Sequence, residues 1–355
     1  MLALKASMVR GSSVAQFVVA ILLAGSILFA QIDKPQALEQ AQFGTNEAQK
    51  GNYRKAIEAY KRAIVIEPDL PGIYLNLGLA YFKLGDFRAA IPAFEKESAR
   101  ASNDRLQTLL GMSYFGLGAY REAAKRLKPI STAQPQNSEL SYLLAKCYLW
   151  SGQYSEAMSL FRSLLERDPN SAAVHMLLGE ALDASDRTSE AIAEFEAALK
   201  ANPEQPDVHF GLGYLYWKQK SYDEAEREFQ TELKNFPNDA QANAYLGDVK
   251  LKSARNQEAL PLLERAVAGD SKLEIAHLDL GILYSQSKRY DRAIAEFHEA
   301  IRIDPKSFDA HYRLARLYRE LGRTAQANAE FATVQQLHQK KDEEPLIRIS
   351  GSPKH

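Results

Sequence analysis

Apolar positions return along this chain at a nearly constant interval. Aligned on one recurring alanine, successive copies of the pattern are 33 or 34 residues apart. These alanines are Ala56, Ala90, Ala123, Ala157, Ala191, Ala225, Ala259, Ala293 and Ala327. An interval of this length is typical of arrays in which one short helical module is used many times. Nine units therefore tile residues 37–341.

Inside each unit, the apolar spacing predicts two amphipathic helices. In the second unit, Tyr74, Gly78 and Tyr81 share one helix face. Further along the same unit, Ala90 and Phe94 share a second face. The paired glycine and alanine allow the two helices to cross closely, and the aromatic ring fills the space beside them. Because one short hairpin buries little apolar surface alone, the units must stack into an all-α array.

The second unit, YLNLGLAYFKLGDFRAAIPAF, contains these residues and closely resembles the tetratricopeptide repeat family. The resemblance implies a right-handed superhelical solenoid of nine tetratricopeptide-type helical hairpins over residues 37–341. In that family the first helices line a concave groove that binds proteins or peptides. The seventh unit departs most from the pattern, because Lys250, Asn256 and Ser271 replace the usual tyrosine, aromatic residue and proline. Looser packing is expected there.

The resemblance also implies which side chains face the groove, namely the second, fifth, ninth, twelfth and thirteenth residues of each unit. In units two to six these places are mostly apolar. They include Leu75, Leu79, Phe82, Met112, Phe115, Tyr142, Leu149, Trp150, Met176, Phe210, Tyr214 and Trp217. Large aromatic side chains are typical anchors of protein interfaces. We predict that the aromatic members bind a partner, the alternative being that they pack against the neighbouring unit.

The ninth unit differs, because Arg313, Arg316 and Arg319 follow one another along its first helix. We predict that they make this end of the groove basic. An acidic peptide segment or a carboxy terminus would dock there through bidentate ion pairs. The alternative is a solvated helix surface, since exposed arginines are common.

No group of residues has the spacing expected of a catalytic or metal centre. The nearest acidic pair, Glu180 and Asp183, is expected to be two solvated carboxylates rather than an acid and a base. Cys147 lies among apolar residues and is expected to be buried, and a single cysteine forms no intrachain disulfide. We therefore predict no enzyme, no cofactor and no metal ion.

Histidine recurs as the fourth residue of four units, a pattern that could indicate a metal cluster. Equivalent helices of successive units lie at least about 9 Å apart, whereas zinc needs nitrogens about 2.1 Å from the ion. We therefore predict packing histidines, each with one exposed ring nitrogen. They are His175, His209, His277 and His311.

The N-terminal end differs from the repeats in composition. Lys5 and Arg10 precede an uncharged apolar stretch over residues 14–30, which is the pattern of a secretory signal peptide. Residues 1–30 are predicted to be that signal or, alternatively, a membrane anchor. The protein is therefore expected to be exported, periplasmic or extracellular, or else membrane-anchored by residues 14–30.

Little of the chain remains for a second function. Residues 31–36 are predicted to be a linker and residues 342–355 a disordered tail. The net charge of −1 provides no overall field that favours nucleic acid as a partner. We predict an exported scaffold that binds proteins or extended peptides. The alternatives are a membrane-tethered assembly factor of a cell-envelope complex and a regulatory or accessory subunit of an enzyme encoded elsewhere.

Overall fold

Helices joined by short turns make up the part of the chain that the computed structural model describes, residues 34–339. Eighteen helices and no strand occur within this range, so the predicted all-α fold of nine helical hairpins is confirmed. Within residues 34–339, every helix is too short or too polar to cross a bilayer. The predicted signal or anchor at residues 14–30 and the predicted tail at 342–355 lie outside the described residues.

The first compact unit ends at Ser151 and contains seven of the described helices. Odd-numbered helices are the first helices of their hairpins, and even-numbered helices are the second. They are α1 (34–49), α2 (Tyr53–Ile66), α3 (Ile73–Lys83), α4 (Phe87–Ser98), α5 (Asp104–Gly116), α6 (Tyr120–Ala133) and α7 (Ser138–Trp150). Helix α1 begins within the predicted linker, because Pro35 is tolerated in a first helical turn.

The second compact unit begins at Gly152 and contains the remaining described helices. They are α8 (Tyr154–Leu165), α9 (Ala172–Asp183), α10 (Thr188–Ala201), α11 (Val208–Lys218), α12 (Tyr222–Asn235), α13 (Ala240–Lys252), α14 (Asn256–Gly269), α15 (Glu274–Gln286), α16 (Tyr290–Ile303), α17 (Phe308–Glu320) and α18 (Thr324–Gln339). Each helix packs against the next one in the chain. The first helices α9, α11, α13, α15 and α17 also contact one another in order, so their side chains form one continuous face.

Short polar side chains mark the start of several first helices. The side-chain oxygen of each accepts a hydrogen bond from the backbone N–H three residues further on, at 2.6–3.3 Å. Such caps satisfy backbone donors that have no partner inside the helix. The capping residues are Asn103, Asn137, Asp239 and Ser307, before α5, α7, α13 and α17.

The two helices of a hairpin cross where glycine faces a large side chain. A Cβ added at Gly78 would lie 2.5 Å from the Phe94 ring, and one added at Gly281 would lie 2.5 Å from the Phe297 ring. Non-bonded carbon atoms do not approach this closely, so only glycine allows the observed separation. The close crossing inferred from the repeated glycine is therefore present.

The turn between the two helices of each hairpin contains one residue with a left-handed backbone. Gly85 has this role in the second hairpin, with φ of 75° and no heavy atom near the position of a Cβ. In four hairpins of the second unit a residue with a side chain takes the same conformation, which costs energy that glycine avoids. They are Asp186, Lys220, Ala254 and Lys288.

The seventh hairpin, α13 with α14, departs from the family pattern without losing burial. Every residue of α13 from 242 to 250 is buried. Lys250 is 5% exposed, and its Nζ lies 2.6 Å from Glu226 and 2.7 Å from Glu258. The expectation of looser packing is therefore wrong for α13, because two carboxylates balance the lysine charge where the family has a tyrosine.

Candidate functional site

In the first unit, the predicted groove residues of α5 and α7 form an aromatic cluster with a lysine on it. The ring centroids of Phe115 and Trp150 are 5.4 Å apart. The Lys146 Nζ lies 4.6 Å from the Trp150 ring centroid and 5.5 Å from those of Phe115 and Tyr142. A cation over aromatic faces is an attractive contact. Trp150 is only 6% exposed, while Phe115, Tyr142 and, on α3, Phe82 are half-buried.

In the second unit, the rings predicted to anchor a ligand pack against one another and against the next hairpin. Phe210 is 2% exposed, and its ring centroid lies 5.8 Å from those of Phe229 and Tyr245. Tyr214 is 8% exposed and meets Tyr245 edge-on at 5.6 Å. These rings form part of the packing between α11, α12 and α13.

Trp217 is the half-buried member of this group and is held by polar contacts. Its indole N–H donates to Asp248 at 2.5 Å. The Lys252 ammonium lies 5.0 Å from the Trp217 ring centroid and also donates to Asp248, at 2.5–2.6 Å. The indole is therefore fixed by α13, with part of its surface left accessible.

Exposure thus divides the seven aromatic residues and three arginines that were predicted to bind a partner. Trp150, Phe210 and Tyr214 lie on the predicted groove side of their own helices, but neighbouring helices cover their rings. These three residues therefore have a packing role. Their burial gives no support to a direct contact with a partner. The accessible candidates are Phe82, Phe115, Tyr142, Trp217, Arg313, Arg316 and Arg319.

The acidic pair of α9 is buried, contrary to the expectation of solvated carboxylates. Glu180 and Asp183 lie under the contact with the next first helix, and the Lys218 Nζ donates to Asp183 at 2.7 Å. A further buried acid, Asp279, lies on α15. Burial and the neighbouring Asp248 carboxylate raise the pKa of Asp279 well above its usual range. Sequence spacing does not indicate the burial of Asp183, because its partner Lys218 comes from the next repeat.

The four repeated histidines stay in separate hairpins, each paired with a glutamate. In every case the ring Nδ1 lies 2.6–2.7 Å from a carboxylate oxygen on the second helix of the same hairpin. The pairs are His175 with Glu194, His209 with Glu228, His277 with Glu296, and His311 with Glu330. The repeat places both members nineteen residues apart each time.

In three of these histidines the second ring nitrogen, which was predicted to be exposed, also has a hydrogen-bond partner. Nε2 of His175, His277 and His311 lies 3.0–3.3 Å from a backbone carbonyl oxygen at the preceding turn. A carboxylate and a carbonyl are both acceptors, so the ring fills both positions as a donor only when it is protonated. The hydrogen bond to Glu296 raises the pKa of His277. The histidines therefore join helices within hairpins.

Three carboxylates of the second unit, Asp207, Glu232 and Asp239, have oxygen atoms within 4.8 Å of one another. Oxygen ligands of this kind suit a hard cation, and no spacing in the sequence indicates the group. Burial, with the charges of both aspartates, raises the pKa of Glu232 to about 7. Its Oε2 accepts the Phe210 amide N–H at 3.2 Å. Glu232 thus satisfies a donor at the start of α11, which accounts for its position without an ion.

Cys147 is fully buried in α7, as predicted. Burial raises the pKa of its thiol to about 12. A thiol of this kind stays protonated near neutral pH and is a poor nucleophile.

The three predicted arginines line a cleft of about 450 Å³ between α15 and α17. We call this the arginine cleft. Arg313, Arg316 and Arg319 are all exposed, and none of their side chains forms an ion pair or hydrogen bond with another residue in the range 34–339. Half of the other lining residues are apolar, namely Ile282, Phe297 and Leu317, and the rest are Ser285, Gln286 and Glu320. The cleft therefore places the predicted basic residues beside apolar side chains of α15, α16 and α17.

Comparisons with solved structures identify other repeat proteins. The crystal structure of the APC/C hetero-tetramer Cut9-Hcn1 has a TM-score of 0.57 at 14% identity and covers 86% of this chain and 74% of that one. The Pseudomonas aeruginosa pilF structure has a TM-score of 0.53 at 19% identity and covers 59% and 95%. YrrB, described as a TPR protein with an unusual peptide-binding site, has a TM-score of 0.41 at 22% identity and covers 51% and 93%. The first two similarities show a shared fold.

A comparison with curated proteins finds no match. Family profiles described as tetratricopeptide repeat match residues 114–181, 176–240, 222–274, 245–308 and 284–345. A profile described as TPR repeat matches residues 44–85. The matched segments together span well over half of the residues, with the repeat length and hairpins described above. The chain belongs to the tetratricopeptide repeat family.

Proposed function

We propose that this protein is a non-enzymatic scaffold that binds proteins or extended peptides along the face formed by its first helices. Membership of the repeat family supports a role in protein interaction. The arginine cleft supports this location, because exposed guanidinium groups and apolar side chains line it together. Partner segments that need both charge pairing and desolvation fit such a surface.

Cross-linking from defined positions tests which face binds. A photoreactive phenylalanine analogue would replace Phe82 or Phe115 on first helices, or Ser285 in the arginine cleft. Matched controls carry it on second helices, at Val65, which is exposed, and at Glu299, which is half-buried. We expect cross-linked partners only from the first-helix positions. Equal cross-linking from both faces, in proteins with unchanged helical circular dichroism, would contradict the proposal.

We further propose that the protein acts outside the cytoplasm, as the apolar stretch at residues 14–30 favours. Export would remove about 30 residues, which the mass of the mature chain measures. The same stretch also supports the alternative of a membrane-tethered assembly factor for an envelope complex. In that case the full-length chain would be found in the membrane fraction.

A further inference from the structure

Within residues 152–339, four other arginines form an ion pair with a carboxylate, whereas none of the three arginines of the arginine cleft does. Arg187 and Arg302, for example, each pair with a glutamate one turn away on their own helix, at 2.6–2.7 Å. The cleft has one carboxylate in its lining, Glu320, and this group accepts a hydrogen bond from the Tyr290 hydroxyl at 3.2 Å. Three positive charges therefore converge on one cleft without a matching number of acids.

Two of these guanidinium groups are held in place by aromatic rings. Arg316 lies 5.9 Å from the Tyr312 ring centroid, and Arg319 lies 5.4 Å from that of Phe331. Contact with a ring face leaves the N–H edges of a guanidinium free to bind a carboxylate through two hydrogen bonds. The entropy lost on binding is smaller because the side chains are already restricted.

The buried side chains that form the floor of the cleft are apolar. Phe297 and Leu317 are buried, and Ile282 is half-buried beside them. A low-dielectric wall strengthens the attraction between the arginines and an anion that enters the cleft. The apolar floor also provides a surface on which an apolar side chain can pack. Inorganic anions and phosphate backbones have no such side chain.

A second basic cleft lies beside the first, at the turns of the eighth and ninth hairpins. Its lining includes Lys288, Arg289, Arg292 and Arg323, with Asp291 as its acid. Glu320 lines the first cleft and Tyr290 lines the second, so the hydrogen bond between them joins the two clefts. The basic surface thus continues from the first-helix face to the end of the hairpins.

We infer that the arginine cleft binds an acidic segment of a partner protein, in which Asp or Glu side chains flank an apolar residue that rests on the floor. The inference rests on the proposed function and adds the chemical class of the bound segment. The charge imbalance of the cleft selects carboxylates, and the floor selects an aliphatic or aromatic neighbour. A net charge of −1 over the chain makes this a local attraction rather than a general one.

Selection from a random peptide library, with the full chain as bait, tests the inference. The test variant carries R313Q, R316Q and R319Q. The control carries R162Q, R265Q and R302Q, which remove the same charge from exposed positions on the second helices α8, α14 and α16. All six side chains are exposed, so the fold should persist in both variants, as thermal unfolding followed by circular dichroism would verify.

We expect peptides retained by the parent and by the control to be enriched in Asp and Glu next to apolar residues. A selected peptide, resynthesised, should bind the test variant about 10–100-fold more weakly than the parent, as three partly exposed ion pairs imply. Its affinity for the parent should also fall as salt rises.

The possible failures are distinguishable. Peptides without acidic enrichment that bind parent and test variant equally would overturn the inference and leave the proposed function intact. If the parent retained no peptide, the peptide-binding function itself would be contradicted. Binding of single-stranded oligothymidine that is lost in the test variant, without selection of acidic peptides, would assign the cleft to nucleic acid and overturn the inference.

Discussion

Glu232 and His277 are buried ionisable residues whose pKa values are raised for different reasons. Burial raises that of Glu232 to about 7, whereas a hydrogen bond to Glu296 raises that of His277. In both cases the folded protein holds the proton more tightly than the unfolded chain does. Each contribution to stability is therefore complete at low pH, below the unfolded pKa, and is lost as pH rises through the folded pKa.

Replacement of Glu232 by glutamine should stabilise the protein at alkaline pH. Glutamine keeps an oxygen for the Phe210 amide and never carries the charge that burial and the neighbouring Asp207 and Asp239 disfavour. A pKa difference of one corresponds to about 1.4 kcal/mol, so the gain at about pH 8 is on the order of 3 kcal/mol and vanishes near about pH 4.5. Urea unfolding at both pH values measures it. A variant that is no more stable at the higher pH would contradict the assigned cause.

Replacement of Glu296 by glutamine should destabilise the protein more at about pH 6 than at about pH 9. At the lower pH the parent has the pair of protonated His277 and Glu296, while at the higher pH its histidine is neutral. The other three histidine pairs are present in both proteins and cancel in the comparison. Thermal unfolding midpoints at the two pH values test this. An equal loss at both would mean that the pair acts by packing alone.

At the scale of elements, the turn inside each hairpin was not predicted, although its residues are visible in the sequence. Glycine at this place in the second hairpin signals a left-handed backbone, yet alanine or lysine at the same place gives no such signal. Ala254 and Lys288 adopt it because the helices on both sides are fixed by packing, and the turn must join them. Local preference is thus overridden by the stacked hairpins.

Ala254→Gly should stabilise the protein by about 0.5–1 kcal/mol, because it relieves the left-handed conformation at an exposed turn. The reverse change at the equivalent place, Gly85→Ala, should destabilise it by about 1 kcal/mol. No heavy atom lies within 4 Å of the Cβ that alanine would add there, so the effect reports backbone strain alone. Urea unfolding of both variants measures the two changes in the free energy of unfolding. The same sign of change in both would refute the explanation.

At the scale of the whole molecule, stability in a stacked array is a sum of hairpin terms and terms between neighbours. In the second unit, α15 packs against α13, α14, α16 and α17. Helices α9 and α10 lie two hairpins earlier than α13 and α14 in the chain. A local defect should therefore loosen its neighbours and fade with distance along the array.

Gly281→Ala provides this defect, because the added Cβ would stand 2.5 Å from the buried Phe297 ring. We expect a cost of about 1–3 kcal/mol from overpacking, which exceeds the gain of about 1 kcal/mol from replacing glycine in a helix. Hydrogen exchange should accelerate in α13 to α17 and stay unchanged in α9 and α10. Uniform acceleration across residues 152–339 would instead indicate one cooperative unit.

The repeat interval, the paired helices and the close glycine crossings were all readable from the sequence. They depend on periodicity within about 34 residues, which is a local property of the chain. The residue numbers of the arginine cleft were also predictable, since Arg313, Arg316 and Arg319 share one side of one helix. Their lack of acidic partners and their apolar floor depend on α15 and α16, which no local pattern reveals.

Exposure was decided only by the tertiary structure. Trp150, Phe210 and Tyr214 have the same helix-face pattern as the accessible Trp217, yet rings from neighbouring helices cover them. The burial of Asp183 likewise depends on Lys218, a residue of the following repeat. Helix periodicity determines the side of the helix on which a residue lies. Whether that side meets solvent, a ring or a counter-charge depends on contacts between repeats, which sequence spacing does not encode.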